Sequence, residues 1–497
     1  MPSPPASSGT QREWPRRKRK NSSGKSLPGG RGRLTRLCGR FCSSSKGRPT
    51  SPGKSSGSTA DTGCEEGPVE EIYLPLDEKK VLLPSISGKI TVCRPKIPRT
   101  PDDPAEIISK ALDTPLSGPP LTERLRGKKS LAIVIPDVTR ESGAAHFLPL
   151  ILSRAEEAGI SPRAVTLFVA LGIHRPLTEE EVDRITGGTS RTLRVVQHDP
   201  DRGLKDLGKT SRGTPVLINA ELLKHDAIVL AGAASFHYFA GFGGGRKLLV
   251  PGLAGRETIY STHRRIFDGT ERSPLARPGV LSGNPVHEDM LEAASFVPVT
   301  FSLTTLLSPE KKVFHAVGGG LEDSHEEACR VYAEHFAVKL KKRYPFIIAS
   351  AGGYPKDINF IQSHKALDHS FQALSPGGVL ILAAWCRDGL GHDDFFPWFR
   401  FGTPERIAGE LRKNYVVYGQ TAFATLTKTL SCTVILVSSL PAETVEAMNI
   451  VPARNIEEAL SIARERGAVT DEVLVIPEAG HVLPLVEGGE KDTRGAR

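Results

Sequence analysis

The chain lacks the long apolar runs that would carry it into a membrane. None of its 497 residues lies in a stretch of the ~18 consecutive apolar positions that a membrane helix needs. No apolar segment follows the basic residues near the N-terminus, as a secretory signal would require. We therefore expect no membrane partner and a cytoplasmic location.

Cysteine is scarce and irregularly placed. Seven cysteines are an odd number, and the close pair Cys38 and Cys42 has no second pair of metal ligands beside it. This pattern argues against a disulfide framework and against a structural zinc site of the usual spacing. The four cysteines beyond residue 67 are expected to be buried or incidental thiols in a reducing compartment: Cys93, Cys329, Cys386 and Cys432.

The excess of positive charge is confined to the N-terminal segment. Residues 1–67 contain 14 Lys and Arg against 4 Asp and Glu, a net charge of +10, and the whole chain carries +9, so the remaining 430 residues balance at −1. Because the segment is rich in Ser, Gly and Pro and poor in aliphatic residues, we expect a disordered tail. The basic run at 16–20 is compatible with two interpretations of this segment: an arm that binds a polyanion, or an extension without function. We expect no nucleic-acid partner, since the rest of the chain has no basic excess.

Buried strands alternate with helices through the rest of the chain. Continuous apolar runs at 131–137, 164–172 and 227–233 are typical of strands in a parallel sheet. A second series follows a helix predicted over 321–340. Its strands are expected at 346–352, 379–385, 433–439 and 472–477.

This alternation predicts an α/β fold of two domains whose parallel-sheet cores face a cleft. We expect the first domain over 68–340, opened by short strands within 72–84 and 89–95, and the second, which closes the cleft, over 341–490. Helix starts are predicted where a capping residue precedes a helical pattern: Thr178 with Glu181, Thr403 with Pro404, and Asn455 with Glu458.

Polar residues cluster where the predicted strands end. In open α/β sheets ligands bind beyond the carboxyl ends of the strands, so these clusters predict a ligand-binding cleft. Each residue alone also has a structural interpretation, as part of a turn ion pair, as a capping histidine or as a surface charge. The clusters are Asp137 with Thr139 and Arg140, then His174, then His237, and in the second domain 353–357, followed by Gln362 and Lys365.

A glycine-rich segment at 236–252 has the most unusual pattern. Its glycines let the backbone approach a bulky group, and the Arg–Lys pair that follows supplies charge suited to a phosphate. The segment is not a P-loop, because leucine follows the lysine where Ser or Thr would hold Mg²⁺. The pattern predicts a nucleotide-like ligand beside His237, and a glycine turn with a solvated Arg–Lys pair is the structural alternative. The residues concerned are Gly243, Gly244, Gly245, Arg246 and Lys247.

Several motifs, in this order, resemble those of the nickel-dependent lactate racemase family. The likeness extends roughly from residue 70 to residue 486 and leaves out the tail. The motifs are DVTR from residue 137, LGIHRPLT from 171, FHYFAGFGGGRKLLVPG from 236, STHRR from 261, GNPVHED from 283 and GGYPKDINFIQSHKA from 352.

The resemblance implies a nickel-pincer nucleotide, a pyridinium mononucleotide in which one carbon and two sulfur atoms hold nickel. By motif position, Lys247 would tether this cofactor and His263 would complete the nickel coordination, for which imidazole is a suitable ligand. His174 and His237 match the acid/base pair. Further positions match as follows: near the cofactor, Asp137, Thr139, Arg140, Gly243, Gly244 and Gly245; near the substrate, Arg140, Gln362, Lys365 and Trp398.

The implied reaction is the racemisation of lactate or a related 2-hydroxy acid. One histidine takes the hydroxyl proton while hydride leaves C2 for the cofactor, and hydride returns to the opposite face. Two histidines with pKa values near neutrality would suit both directions. The implied partners are the small-molecule substrate and the enzymes that make the cofactor.

Two departures from the family pattern bear on the substrate. Gly243 stands where the family commonly has serine, and Ile361 stands where the lactate enzymes carry tyrosine. A larger 2-hydroxy acid, such as malate, an aryl lactate or a sugar acid, is therefore the alternative substrate.

Two other classes of protein fit the sequence less well than a racemase does. A non-catalytic protein that binds nickel or a nucleotide would not need two acid/base histidines. A zinc hydrolase built on His174, His237 and His263 would lack the close histidine spacing of such sites and would leave the glycine loop unexplained.

Overall fold

A computed structural model describes six stretches of the chain, and its two main sheets belong to one compact unit. The tail predicted over 1–67 lies outside the described residues except at 64–66. Within the described stretches no helix is long and apolar enough to cross a bilayer. The stretches are 64–66, 71–98, 100–101, 103–269, 271–468 and 471–487.

Six strands form the first sheet of the described chain, and all but one edge strand run parallel to their neighbours. The predicted runs at 131–137, 164–172 and 227–233 are confirmed as adjacent strands of this sheet. Their side chains are almost entirely buried because other elements cover both faces. The order across the sheet is Val313–Gly319 (antiparallel), Phe301–Leu307, Ala227–Ala233, Leu131–Pro136, Val165–Ala170 and Arg194–Gln197.

The second sheet has seven described strands, and it is parallel except at the edge formed by Cys64–Glu66. All four strands predicted for this part of the chain are confirmed. The order is Cys64–Glu66, Lys89–Cys93, Glu472–Ile476, Tyr344–Ser350, Leu374–Ala383, Thr433–Val437 and Val451–Ala453.

Helices cover the sheets because each carries an apolar stripe toward them. The first series is Ala105–Asp113, Leu121–Leu125, Ala144–Glu157, Glu179–Thr186, Arg256–Arg264, Pro285–Ser295 and Leu321–Phe336. The second series is Phe360–Phe371, Pro404–Lys413, Val417–Thr429, Ala442–Ala447 and Ile456–Glu465. Single-turn 3₁₀ helices lie at Pro162–Ala164, Thr189–Thr192, Leu222–Lys224, Gly245–Leu248 and Phe396–Phe401. Two-stranded ladders pair Tyr73–Leu76 with Lys79–Leu82, Leu204–Lys209 with Pro215–Asn219, Phe236–His237 with Gly241–Phe242, and Phe267–Asp268 with Glu271–Arg272.

The three predicted helix starts are confirmed by their capping hydrogen bonds. Thr178 and Glu181 form a reciprocal capping box. The side chains of Thr403 and Asn455 each accept a hydrogen bond from the backbone three residues later. These caps are local interactions, so the sequence alone is enough to predict them.

Two elements differ from the sequence prediction. The helix expected over 321–340 ends at Phe336, because residues Ala337–Leu340 form a strand that pairs in parallel with Leu483–Val486. The strand expected to open the first domain near residue 89 instead extends the second sheet, where Lys89–Cys93 pairs with Glu472–Ile476. The domain limits 68–340 and 341–490 otherwise stay a prediction.

Buried polar contacts join the part of the chain that carries the first sheet to the part that carries the second. Arg272 lies 3.2 Å from the carboxylate of Asp368, which also accepts from Lys428 at 2.8 Å. Gln420 donates to the hydroxyl of Tyr238 at 3.1 Å. These contacts fix the position of the second sheet's helices against the loops that follow the first sheet.

Candidate active site

Asp137 and His174 lie directly beyond the ends of two neighbouring strands of the first sheet. Nδ1 of His174 is hydrogen-bonded to Oδ2 of Asp137. The other carboxylate oxygen, Oδ1, accepts from the backbone and the hydroxyl of Thr139, at 3.0 and 2.6 Å. The sequence predicted that these residues share a strand-end site, and the structure brings them into direct contact.

The environment of Asp137 keeps it ionised. Burial alone would raise the pKa of Asp137, but the hydrogen bond and charge of His174, with the Thr139 hydroxyl, bring it below its ordinary value. A carboxylate can only accept, so the His174 ring donates from Nδ1 and keeps a lone pair on Nε2. The side chain of His174 is 40% exposed, which leaves that nitrogen open to a ligand.

The glycine loop turns back tightly after the strand Ala227–Ala233. Gly244 has φ of 74° and Gly245 has φ of 52°, which favour glycine. A Cβ on Gly244 would lie 2.6 Å from the carbonyl oxygen of Ala233, so no other residue fits there. Gly243 differs, because a Cβ at this position would make an ordinary contact 3.6 Å from the Ser235 hydroxyl.

Arg246 occupies a place that the sequence did not predict. Its side chain is fully buried and donates to the carbonyl oxygens of Ala240 and Phe242 at 2.8 and 3.1 Å. Its Nη1 lies 3.1 Å from Nε2 of His325. The expectation that Arg246 supplies charge to a phosphate is therefore wrong, and so is the alternative of a solvated pair. Arg246 instead stabilises the glycine loop through buried hydrogen bonds to backbone carbonyl oxygens of the same segment.

Lys247 and His237 are half-buried and share a positively charged environment. Burial lowers the pKa of His237 well below its ordinary value, and the charges of Lys247, Arg140 and Lys365 lower it further. Burial also lowers the pKa of Lys247, helped by Arg246 and Arg140. The expectation that both acid/base histidines have pKa values near neutrality is therefore wrong for His237.

His263 is held in the tautomer that a metal ligand needs. Its Nδ1 donates to the backbone carbonyl of Ile259, one turn earlier in the helix Arg256–Arg264, at 2.7 Å. Nε2 then carries the lone pair, and burial lowers the pKa of His263 to about 3, so the ring stays neutral. A neutral imidazole oriented through its other nitrogen is the usual form of a metal-bound histidine. The residue therefore fits the nickel ligand that the resemblance implies.

The part of the chain that carries the second sheet contributes a lysine to the same site. The helix Phe360–Phe371 begins at Asn359, whose side chain accepts from the backbone of Gln362 at 3.0 Å. Lys365 Nζ donates to the Gln362 side chain at 2.8 Å. Burial lowers the pKa of Lys365 well below its ordinary value, and the charge of Arg140 lowers it further. Groups on both sheets thus act on each other electrostatically.

The sequence and the fold match one known family. Residues 77–273 match the model of the lactate racemase N-terminal domain, and residues 340–483 match that of the C-terminal domain. The lactate racemase of Thermoanaerobacterium thermosaccharolyticum is 31% identical over 387 residues, covering 76% of this chain and 90% of the relative. This chain belongs to the lactate racemase family. It is accordingly an isomerase of the racemase class.

Two further comparisons agree with the assignment to the lactate racemase family. The lactate racemase of Lactiplantibacillus plantarum is 32% identical over 294 residues, covering 59% of this chain and 68% of the relative. The structure of the T. thermosaccharolyticum lactate racemase apoprotein superposes with a TM-score of 0.77 at 29% identity, covering 84% of this chain and all of that one. Both comparisons fit the α/β fold described above.

Trp398 lies apart from these contacts. It belongs to the 3₁₀ helix Phe396–Phe401, and its ring centroid lies 5.6 Å from that of Phe401. A Cβ on Gly419 would fall 2.4 Å from the indole, so the ring packs directly over this glycine. The role of Trp398 on the substrate side of a lactate racemase stays a prediction.

Two further residues lie among these contacts, and neither of them was assigned a role from the sequence, although Lys356 belongs to the strand-end cluster 353–357. Lys356 follows the strand Tyr344–Ser350, and burial with the charge of Arg140 lowers its pKa to about 8. Its place at a strand end was the signal available. Phe239 packs against several of the predicted site residues. It lies within the glycine-rich motif, but an apolar side chain has no acid/base or metal-binding group from which a role at the site could be predicted.

Proposed function

We propose that this chain interconverts the enantiomers of lactate or a related 2-hydroxy acid with a nickel-pincer nucleotide tethered to Lys247. The observation that carries the proposal is the shared environment of Lys247, His237 and His263. All three side chains pack around one aromatic ring, and the charge of Lys247 lowers the pKa of both histidines.

His174 takes the hydroxyl proton of the substrate at Nε2. Asp137 holds the proton on Nδ1, so Nε2 has the free lone pair that a general base needs. Once protonated, the ring is an imidazolium beside an ionised carboxylate, which stabilises it. This pair has no use in a protein that only binds nickel or a nucleotide.

His237 has the opposite neutral tautomer. The backbone N–H of Ala240 donates to Nδ1 of His237 at 3.3 Å, so the neutral ring carries its proton on Nε2. His237 therefore donates to the substrate oxygen, while His174 accepts from it. In this arrangement the His237 N–H gives a hydrogen bond without transferring its proton, and the His174 imidazolium returns the proton that His174 took from the hydroxyl group.

Arg140 and Lys365 orient the substrate carboxylate between the two sheets. The charge of Arg140 lowers the pKa values of His237, Lys247 and Lys365, so its guanidinium acts on all three groups. An anionic substrate offsets this concentration of positive charge and is thereby held in one orientation.

The environment of Lys247 suits a covalent tether. Its lowered pKa raises the share of the neutral amine, the nucleophilic form, which can attack an acyl or thioacyl group of the cofactor and displace the leaving group that this acyl group carries. His263 would then hold the nickel. When bound, the nickel-pincer nucleotide supplies the hydride acceptor, and the protein supplies placement.

Mass and metal analysis test the cofactor directly. The full chain is produced with the enzymes that make the cofactor, and its intact mass and nickel content are measured. We expect an adduct on Lys247 with one nickel, loss of both in Lys247→Arg, and loss of nickel alone in His263→Ala. Wild-type protein that shows turnover without an adduct, or full nickel content in His263→Ala, contradicts the proposal.

A panel of substrates distinguishes an enzyme that acts on lactate from one that acts on a larger 2-hydroxy acid. Ile361 precedes Gln362 in the helix Phe360–Phe371, and it cannot donate the hydrogen bond that a tyrosine would. We expect lactate turnover in a chiral assay. If malate, an aryl lactate or a sugar acid is turned over and lactate is not, the proposed reaction type stands and the proposed substrate changes to that acid. Adduct and nickel without turnover of any of them would favour the non-catalytic alternative.

The zinc hydrolase alternative has no support in the structure. Among the described residues, no group of three or more His, Cys, Asp and Glu side chains is arranged to hold a metal ion. A metal site here therefore needs a ligand from outside the chain, as the pincer nucleotide provides.

A further inference from the structure

One side chain, Phe239, touches three residues to which the proposed function gives different tasks. Its ring centroid lies 4.5 Å from that of His237, with the planes at 87°. It lies 5.1 Å from the ring centroid of His263 at 64°. Nζ of Lys247 lies 5.5 Å from the same centroid. The proposed hydrogen-bond donor, nickel ligand and tether thus share one neighbour.

Phe239 itself is held firmly in place. Only 2% of the residue is exposed, and Tyr238 packs edge-on against its ring at 4.7 Å. Its carbonyl oxygen accepts from the side chain of Asn284, which is fully buried, at 2.9 Å. A buried ring whose main chain is fixed has a single position. The side chains that pack on this ring are therefore held at fixed distances from one another.

The same hairpin offers a matched comparison. Phe242 is also buried, at 3% exposure, but it packs on Phe236 in a different apolar cluster, with ring centroids 5.2 Å apart. No described aromatic or cation contact joins Phe242 to His237, His263 or Lys247. Truncating either phenylalanine removes a similar amount of buried surface, so the two substitutions differ mainly in which neighbours they release.

We propose that Phe239 is a positioning residue that sets the spacing of His237, His263 and Lys247. The three tasks named for these residues rest on the proposed function, whereas the shared packing does not. If the ring is lost, all three side chains lose the same support and shift together, although none of them is itself changed.

The first test uses the full chain without cofactor. Peptide mass spectrometry measures the rates at which diethyl pyrocarbonate modifies the two histidines and an acetylating ester modifies Lys247. We expect all three rates to rise in Phe239→Leu and to match the wild type in Phe242→Leu, at similar melting temperatures. Phe239→Met, whose flexible unbranched side chain adapts to the space without a ring, replaces Phe239→Leu if that variant does not fold.

Equal rates in the two leucine variants, or a change at only one of the three sites, overturn the proposal. The cofactor-loaded protein gives a second measurement. Because a misplacement of about 1 Å can cost about 10²-fold in rate, we expect kcat/KM to fall by about that factor in Phe239→Leu, with less nickel and less adduct. Phe242→Leu should keep both. If the wild type itself takes up no nickel or adduct, the proposed function fails, and the modification rates still decide the role of Phe239.

Discussion

The substitution Asp137→Asn isolates the hydrogen bond that prepares His174. Asparagine has nearly the size of aspartate, and its carbonyl oxygen would stay at the Oδ1 position, where Thr139 donates two hydrogen bonds. The amide NH₂ would then occupy the place of Oδ2 and donate to Nδ1 of His174. The ring would have to accept there and carry its proton on Nε2, which is the wrong tautomer for a base.

The expected loss of activity is large. General acid/base groups contribute about 10²–10⁴-fold, and about 1.36 kcal/mol corresponds to each factor of ten. We therefore expect kcat to fall by about 10²–10⁴-fold, or roughly 2.7–5.4 kcal/mol of barrier. Adduct and nickel content should not change, because Asp137 has no described contact with Lys247 or His263.

The difference in unfolding free energy between the wild type and Asp137→Asn is expected to depend on pH. The folded-state pKa of Asp137 is lowered, so its contribution to stability is present above the unfolded value of 3.8 and is lost as the pH falls through the folded value. Asp137→Asn should therefore be less stable than the wild type at neutral pH, and the difference should shrink in acid. Denaturant unfolding at a series of pH values measures this.

Chiral chromatography of the product, with metal analysis of the same sample, measures the effect on turnover. The control is Asp201→Asn, which removes a carboxylate from an exposed ion pair with Arg256, where N and O lie 2.8 Å apart. We expect the control to keep wild-type turnover. Fully loaded Asp137→Asn with turnover close to the wild type would refute the assignment of His174 as a base prepared by Asp137.

Three further outcomes are expected. Substrate deuterated at C2 should give product that keeps the label, because hydride does not exchange with water, and complete washout after one conversion would indicate a carbanion route. Asp368→Asn should lower the free energy of unfolding in urea by about 3–5 kcal/mol, since it leaves Arg272 and Lys428 buried without an anion; an unchanged value would show that this contact is dispensable. Burial lowers the folded-state pKa values of His263 and His325 below 6.5, so their stabilising contribution is lost as the pH falls through and below that value. The melting temperature at fixed ionic strength should therefore fall from about pH 7 to about pH 5, and a flat profile would contradict this.

Local patterns in the sequence were sufficient for the main elements of the fold. The strand Leu131–Pro136 is apolar at every position, and such a strand is buried on both faces only inside a covered parallel sheet. Helix caps such as Thr178 with Glu181 form within four residues and need no other part of the chain. The strand-end positions of Asp137 and His174 followed from the same alternation, because parallel strands bring their ends to one edge.

Only the tertiary structure decided features that depend on contacts between distant residues. Arg246 is fully buried because carbonyl oxygens and His325 surround it, which a charged residue after a glycine run does not reveal. Residues 337–340 leave the helix because a strand at 483–486 is available to pair with them. The convergence of His237, His263 and Lys247 on Phe239 likewise arises from folding, since packing around one ring joins residues that no periodicity in the sequence connects.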